Sequence, residues 1–242
     1  MHVIAHNTGL TRRLWKDASG LSMLEFALGL PMLMALGGYG VEVSNLAITN
    51  MRISQYALQI ADNASRIGVN SGLSVYQLRE ADLNDVLQGL RLFGANAQLT
   101  TRGRVTVSSL ENIQQSWDAA PVQRIHWQRW VGMRGGSSDP GFDSSYGTTS
   151  TTAGTTATAG DQGTAAPSGM GDTSAKVNAP ANSGVIFVEV NYQYQPLFGS
   201  LFVSSTKLHY VASVIVRDKR DFSQIYNPSP VAVASTCNLH NA

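Results

Sequence analysis

The spacing of apolar residues predicts a long helix in the first part of the chain. Residues 26–41 carry no charge, and extending this apolar stretch back to Leu21 admits only Glu25. At 1.5 Å per helical residue, residues 21–41 span about 31 Å, close to the ~30 Å hydrocarbon core of a bilayer. The pattern therefore predicts a membrane-spanning helix with a carboxylate near its beginning.

The helical pattern continues beyond the length of a membrane. Apolar residues spaced by three, four or seven form one stripe along the helix: Val43, Leu46, Ile53, Ala57, Ile60, Ala64 and Ile67. The chain has no proline between Pro31 and Pro121, and the next strong helix breakers are Gly68 and residues 70–72. We predict one helix over residues 21–67, about 70 Å long, with half in lipid and half forming a stalk.

The rest of the chain alternates between apolar and polar positions as strands do. Residues 75–93 first predict a short amphipathic helix that packs on a sheet. Four alternating segments follow, at residues 103–109, 124–131, 184–194 and 207–217. The short connection between the last two favours an antiparallel meander with one covered face. The predicted fold class is α+β, a long N-terminal helix followed by a small domain with an amphipathic helix and an antiparallel sheet.

Between the second and third alternating segments the composition changes. Residues 132–176 are almost free of large aliphatic side chains and rich in Thr, Gly, Ala and Ser. Such a segment buries too little apolar surface to offset its ordering entropy, so we predict a mobile loop over 132–180. The other predicted regions are a leader at 1–20, the membrane and stalk helix at 21–67, a helix with the first strands at 73–131, C-terminal strands at 184–217 and a tail at 218–242.

The charges that flank the apolar stretch predict its orientation. Arg12, Arg13 and Lys16 precede it, whereas residues 42–65 hold two carboxylates and one arginine. Because positive residues stay on the cytoplasmic side, the N-terminus is expected in the cytoplasm and the later part outside. A cleaved secretory signal ending near Gly37 is the alternative, and the helical stripe that continues beyond this residue disfavours it.

Composition and motifs give no sign of an enzyme. The formal net charge is +1 with 14% charged residues, so nothing suggests nucleic acid as a partner. The single cysteine, Cys237, excludes an intrachain disulfide, and the five histidines lack metal-ligand spacing. No GxSxG, P-loop, GxGxxG or HExxH motif is present. We therefore predict a non-enzymatic protein without metal or cofactor.

The start of the apolar stretch carries a family resemblance. Residues 20–33 read GLSMLEFALGLPML. This segment resembles the N-terminus of type IV pilin-like proteins, most closely the TadE-like minor pilins of the Tad, or Flp, pilus system. The family pattern is a basic leader ending in Gly, a peptidase cut, and a hydrophobic helix with Glu as its fifth residue. Gly20, Leu21 and Glu25 match it, followed by Phe26; residues 186–199, IFVEVNYQYQPLFG, also resemble the C-terminal half of the family.

The resemblance implies a pilin-like fold and a role in pilus assembly. It implies that a prepilin peptidase cuts between Gly20 and Leu21, and that Glu25 and Phe26 take part in subunit assembly. Glu25 would pair with the new N-terminus of a neighbouring subunit. An unpaired carboxylate in hydrocarbon costs roughly 2.5–3.5 kcal/mol, so a partner for Glu25 is also expected on physical grounds.

The resemblance further implies where the protein acts and with what. It would be a single-pass protein with a periplasmic C-terminal domain that either stays in the bacterial inner membrane or enters the pilus, and it would serve surface attachment. The implied partners are inner-membrane lipid, the Tad-type prepilin peptidase, other minor pilins, the major Flp pilin and the assembly platform proteins. Two alternatives stay open: an envelope-anchored periplasmic binding or scaffold protein, and a secreted binding domain released by signal cleavage.

Overall fold

The chain is α+β, as the sequence predicts, in a computed structural model that describes residues 19–70, 72 and 75–241. Its dominant element is helix α1, Ser19–Arg66, of 48 residues. It ends one residue before the end of the predicted helix over 21–67, and Pro31 lies inside it. Most of the predicted leader, residues 1–18, lies outside the described residues.

Residue contacts divide the chain into two units. One unit joins the first part of α1, up to Asn45, to the loop Pro196–Ser204. The other comprises Leu46–Gln195 and the residues from Ser205 onward, and it is called the outer domain below. The boundary within α1 falls where the uncharged apolar sequence has ended and the stripe of buried residues begins.

The predicted amphipathic helix is present in the outer domain as α2, Glu80–Phe93. Its residues Leu83, Leu87 and Leu90 are buried, as their spacing predicts. The helix begins at Glu80 rather than near residue 75, because the Asp82 carboxylate accepts the backbone N–H of Arg79 and caps the first turn. Before it lies the two-stranded pair β1, Val69–Asn70, and β2, Tyr76–Gln77; a short helix α3, Leu99–Arg102, follows.

The outer domain is built on one antiparallel five-stranded sheet. Its strands are β3 Gly103–Ile113, β4 Val122–Val131, β5 Thr164–Ala165, β6 Ser183–Gln193 and β7 Lys207–Ile215. The order is β5-β4-β3-β6-β7, so β6 pairs with β3 and the predicted meander is wrong. The long segment between β4 and β6 connects the two strands across β3, which lies between them. Val190 lies opposite Tyr210 and Val188 opposite Ala212, so alternating apolar residues of β6 and β7 share one face of the sheet.

Both faces of the sheet are covered, whereas the sequence predicts one. The central strands β3, β4 and β6 are buried at nearly every position, and only β7 alternates. On one face Met170 and Ala179, from the predicted mobile loop, pack with Leu110 and Phe187. On the other face the Tyr210 hydroxyl donates to Asn50 Oδ1 of α1 at 2.7 Å.

The segment between β4 and β6 is held by polar side chains of the sheet. Gln128 Nε2 donates to the carbonyl of Gly147, and Gln128 Oε1 accepts the N–H of Thr149, both at 2.9 Å. The Glu189 carboxylate accepts the N–H of Ser145 at 3.0 Å. The composition of the segment between β4 and β6 does not predict these hydrogen bonds, because the side chains that form them belong to the strands. Mobility of the segment stays a prediction.

A buried pair inside the outer domain makes its stability depend on pH. His126 Nδ1 lies 2.8 Å from Glu111 Oε2, and both side chains are almost fully buried. Burial lowers the pKa of His126, but the charge of Glu111 and its hydrogen bond together outweigh burial, and the pKa is raised. The charged pair therefore stabilises the folded state fully below the pKa of about 6.5 that a histidine has in an unfolded chain.

We expect the free energy of unfolding to fall as pH rises from about 6.5 through the raised pKa of His126, since the unfolded chain releases its proton first. The measurement is denaturant unfolding of wild type and His126→Gln, in detergent, from about pH 5.5 to about pH 8.5. The difference between the two proteins isolates this residue. If the difference in free energy of unfolding between wild type and His126→Gln is constant with pH, or grows as pH rises, the charged pair is contradicted.

Candidate functional site

The first half of α1 exposes a large apolar surface. Phe26 is 68% exposed, Met32 70% and Leu36 68%. None of the most apolar stretch of this helix is buried by the described residues, and the helix is long and apolar enough to cross a membrane. Exposed apolar surface of this extent marks contact with lipid or with other protein chains. We take this half of α1, with the loop that contacts it, as the candidate site.

The predicted site residues lie together at the beginning of this surface. Gly20 and Leu21 are in the first described turn of α1, and Glu25 and Phe26 lie about one turn later. All four are exposed. Because residues four apart share a helix face, the backbone nitrogen of Leu21 and the carboxylate of Glu25 lie on the same side. Cleavage after Gly20 stays a prediction.

At the other end of the apolar surface lies Glu42, whose charge in the sequence indicates only the orientation of the helix. Glu42 is fully buried. Its two oxygens accept the backbone N–H of Leu197 at 3.2 and 3.0 Å, and Oε2 also accepts the N–H of Phe198 at 3.0 Å. Hydrogen bonds to a charged acceptor are stronger than neutral ones, so Glu42 fixes the loop Pro196–Ser204 to the helix.

Aromatic rings from the same loop pack one turn before Glu42. The Phe202 ring lies so close to Gly38 that an added Cβ there would be 2.9 Å from a ring carbon. Phe202 also meets Tyr39 and Phe198 edge to face, with ring centroids 6.3 and 5.8 Å apart. The lack of a side chain at Gly38 therefore allows the loop to contact the helix. No local signal predicts this, since Glu42 and Leu197 are 155 residues apart.

Charged side chains that are buried in the outer domain form ion pairs and hydrogen bonds within the fold. Glu80 of α2 and Arg129 of β4 form an ion pair in which both side chains are buried, and Asp118 pairs with Arg124. Arg104 donates to the carbonyls of Gly132 and Leu239 and so holds the C-terminal tail. Within the described residues, no cluster of three or more His, Cys, Asp or Glu could hold a metal.

Comparison with protein-family models, with curated proteins and with solved structures found no match to this chain. The features of the chain that bear on its function are the exposed apolar half of α1, the carboxylate at each end of it, and the loop that contacts it.

Proposed function

We propose that the protein is a TadE-like minor pilin that helps to initiate or assemble a Tad, or Flp, type pilus for surface attachment. The observation that carries the proposal is the position of Glu25. It is an exposed carboxylate on an exposed apolar helix, and it is the fifth residue after Gly20. A long apolar helix followed by a small antiparallel sheet domain is compatible with such a subunit.

Removal of the leader would give Glu25 its partner. Cleavage between Gly20 and Leu21 creates an α-amine on Leu21, at nearly the same depth in the membrane as Glu25. The donor in this proposal is the amine of a neighbouring subunit, because only a pair between two chains also fixes one subunit against the next. Pairing offsets the roughly 2.5–3.5 kcal/mol cost of a carboxylate in hydrocarbon and sets the register between subunits.

The proposed location is the bacterial inner membrane, with the N-terminus in the cytoplasm and the outer domain in the periplasm. The basic residues before the apolar stretch support this orientation. The proposed partners are the Tad-type prepilin peptidase, other minor pilins, the major Flp pilin and the assembly platform proteins. The proposed role is structural, in subunit assembly, and requires no cofactor.

We expect the protein purified from membranes to begin at Leu21, because the proposed peptidase removes the leader after Gly20. The measurement is N-terminal sequencing of the membrane-bound protein, from cells with and without the prepilin peptidase. An intact N-terminus in both would favour the envelope-anchored alternative, and a start at Gly38 would favour the cleaved secretory signal. Loss of the Leu21 start only in cells without the peptidase would identify the enzyme responsible.

A further inference from the structure

The loop between β6 and β7, Pro196–Ser204, exposes apolar side chains although it lies outside the predicted membrane helix. Leu197 is 60% exposed, Phe198 48% and Leu201 74%. The chain carries no charge from residue 190 to residue 206. Three large apolar side chains grouped on one uncharged loop are unfavourable in water, and such a group marks a contact surface.

This loop is fixed to a single turn of α1. The Glu42 carboxylate accepts the N–H groups of Leu197 and Phe198, and the Phe202 ring packs on Gly38 and Tyr39. These contacts come from the backbone and from an aromatic ring, so they leave the side chains of Leu197 and Leu201 exposed. The level of the loop along the helix is therefore set by residues 38–42.

The helix rise places this turn at a membrane boundary. Gly38 lies about 26 Å and Glu42 about 32 Å from Leu21 along the helix axis, at 1.5 Å per residue. The hydrocarbon core of a bilayer is ~30 Å thick. If Leu21 lies at the cytoplasmic boundary, residues 38–42 lie at the opposite one. Tyr39, which is 52% exposed, has the amphipathic ring that is enriched at this level of membrane proteins.

We propose that the loop Pro196–Ser204 enters the outer interface of the bilayer, with Leu197, Phe198 and Leu201 in contact with lipid. The loop then acts as a second membrane contact that sets the depth of α1. This inference rests on the membrane insertion in the proposed function, but not on pilus assembly.

Lipid fits the loop better than a second copy of the chain does. Contacts within the same chain hold the loop beside the last turns of the apolar helix. Insertion of the helix therefore brings the loop to the membrane surface, whereas contact with a second copy would require a separate association step. Apolar side chains flanked by uncharged polar residues are also suited to the boundary between headgroups and acyl chains. Glu42 can lie at this boundary because backbone N–H groups of the loop replace water around its carboxylate.

The test measures what surrounds a label on the loop. A nitroxide is attached to Leu201→Cys in the full chain, in a Cys237→Ser background, with one copy per nanodisc of phosphatidylethanolamine and phosphatidylglycerol. Val231→Cys is the matched control in the outer domain, since Leu201 and Val231 are both 74% exposed. Leu36→Cys, at a 68% exposed residue, is the control within the apolar helix. Collisions with oxygen, which concentrates in lipid, are compared with collisions with a water-soluble nickel chelate.

The label at residue 201 is expected to lose most of its collisions with the nickel chelate and to gain collisions with oxygen, as the label at residue 36 does. The label at residue 231 is expected to keep its collisions with the chelate. If residue 201 behaves like residue 231 while residue 36 is in lipid, the loop proposal is overturned and membrane insertion stands. Protection of residue 201 only in discs with two copies would assign the loop to a second copy, which also overturns it. Chelate collisions at residue 36 would overturn insertion itself.

Discussion

Replacing Glu25 with alanine is expected to leave the protein in the membrane and to reduce pilus formation by about tenfold or more. A close ion pair between protein chains contributes at least about 1.5 kcal/mol in measured cases, and about 1.4 kcal/mol changes an association constant tenfold. The variant also removes a carboxylate that is costly in hydrocarbon, so insertion of α1 becomes easier. A defect in pilus formation therefore cannot be attributed to failed insertion.

The measurement compares pili sheared from cells with the amount of protein in the membrane fraction. Glu25→Gln keeps the size of the side chain and removes its charge, and it should share the defect. Ser22→Ala is the matched control, since Ser22 is another exposed polar residue at the beginning of α1. Normal pilus formation by Glu25→Ala and Glu25→Gln would contradict the proposed pairing and favour the envelope-anchored alternative.

Replacing Arg129 with methionine is expected to destabilise the outer domain by about 3–5 kcal/mol, because it leaves a buried charge without its partner. Arg129 Nε donates to Glu80 Oε2 at 2.9 Å, and Nη2 donates to Oε1. Both side chains are buried, and the pair joins the first turn of α2 to β4. Removing Glu80 as well, as Glu80→Leu, should recover much of the loss, because no unpaired charge then remains.

The measurement is denaturant unfolding of the full chain in detergent, followed by the fluorescence of the buried Trp127 and Trp130. Arg66→Met is the matched control, since Arg66 forms an ion pair with Asp62 in which the side chains are 71% and 43% exposed. Exposed pairs contribute about 0–1 kcal/mol, so this variant should unfold almost as wild type does. A loss below about 1 kcal/mol for Arg129→Met would show that water or another group satisfies Glu80.

The sequence predicts the two long helices, α1 and α2, because their signals are local. The end of α1 follows from a periodic apolar stripe and from the glycines after it, and both can be recognised within a few turns. The burial of Leu83, Leu87 and Leu90 in α2 follows in the same way. Strand positions are equally accessible, because alternation marks which residues of β6 and β7 share a face.

The order of the strands could not be predicted, since pairing depends on residues that are distant in sequence. The alternation of β6 is compatible with pairing to β4 or to β3, and the structure selects β3. The second covered face was also missed. Its cover is the Thr- and Gly-rich segment, which packs Met170 and Ala179 on the sheet. Strand side chains such as Gln123, Gln128 and Glu189 hold the segment by hydrogen bonds. The composition of the segment does not indicate which side chains of the sheet will hold it.

The two carboxylates of the candidate site, Glu25 and Glu42, differ in how far the sequence alone determines their role. Glu25 could be singled out from sequence alone, because a charge within an apolar stretch of membrane length is costly and requires a partner. Glu42 looked like an ordinary charge at the end of the same stretch. Only the folded chain, by bringing the N–H groups of Leu197 and Phe198 to it, made Glu42 a buried acceptor that fixes an apolar loop to the helix. Hydropathy is a property of neighbours in sequence, whereas the partner of a buried charge is set by contacts across the fold.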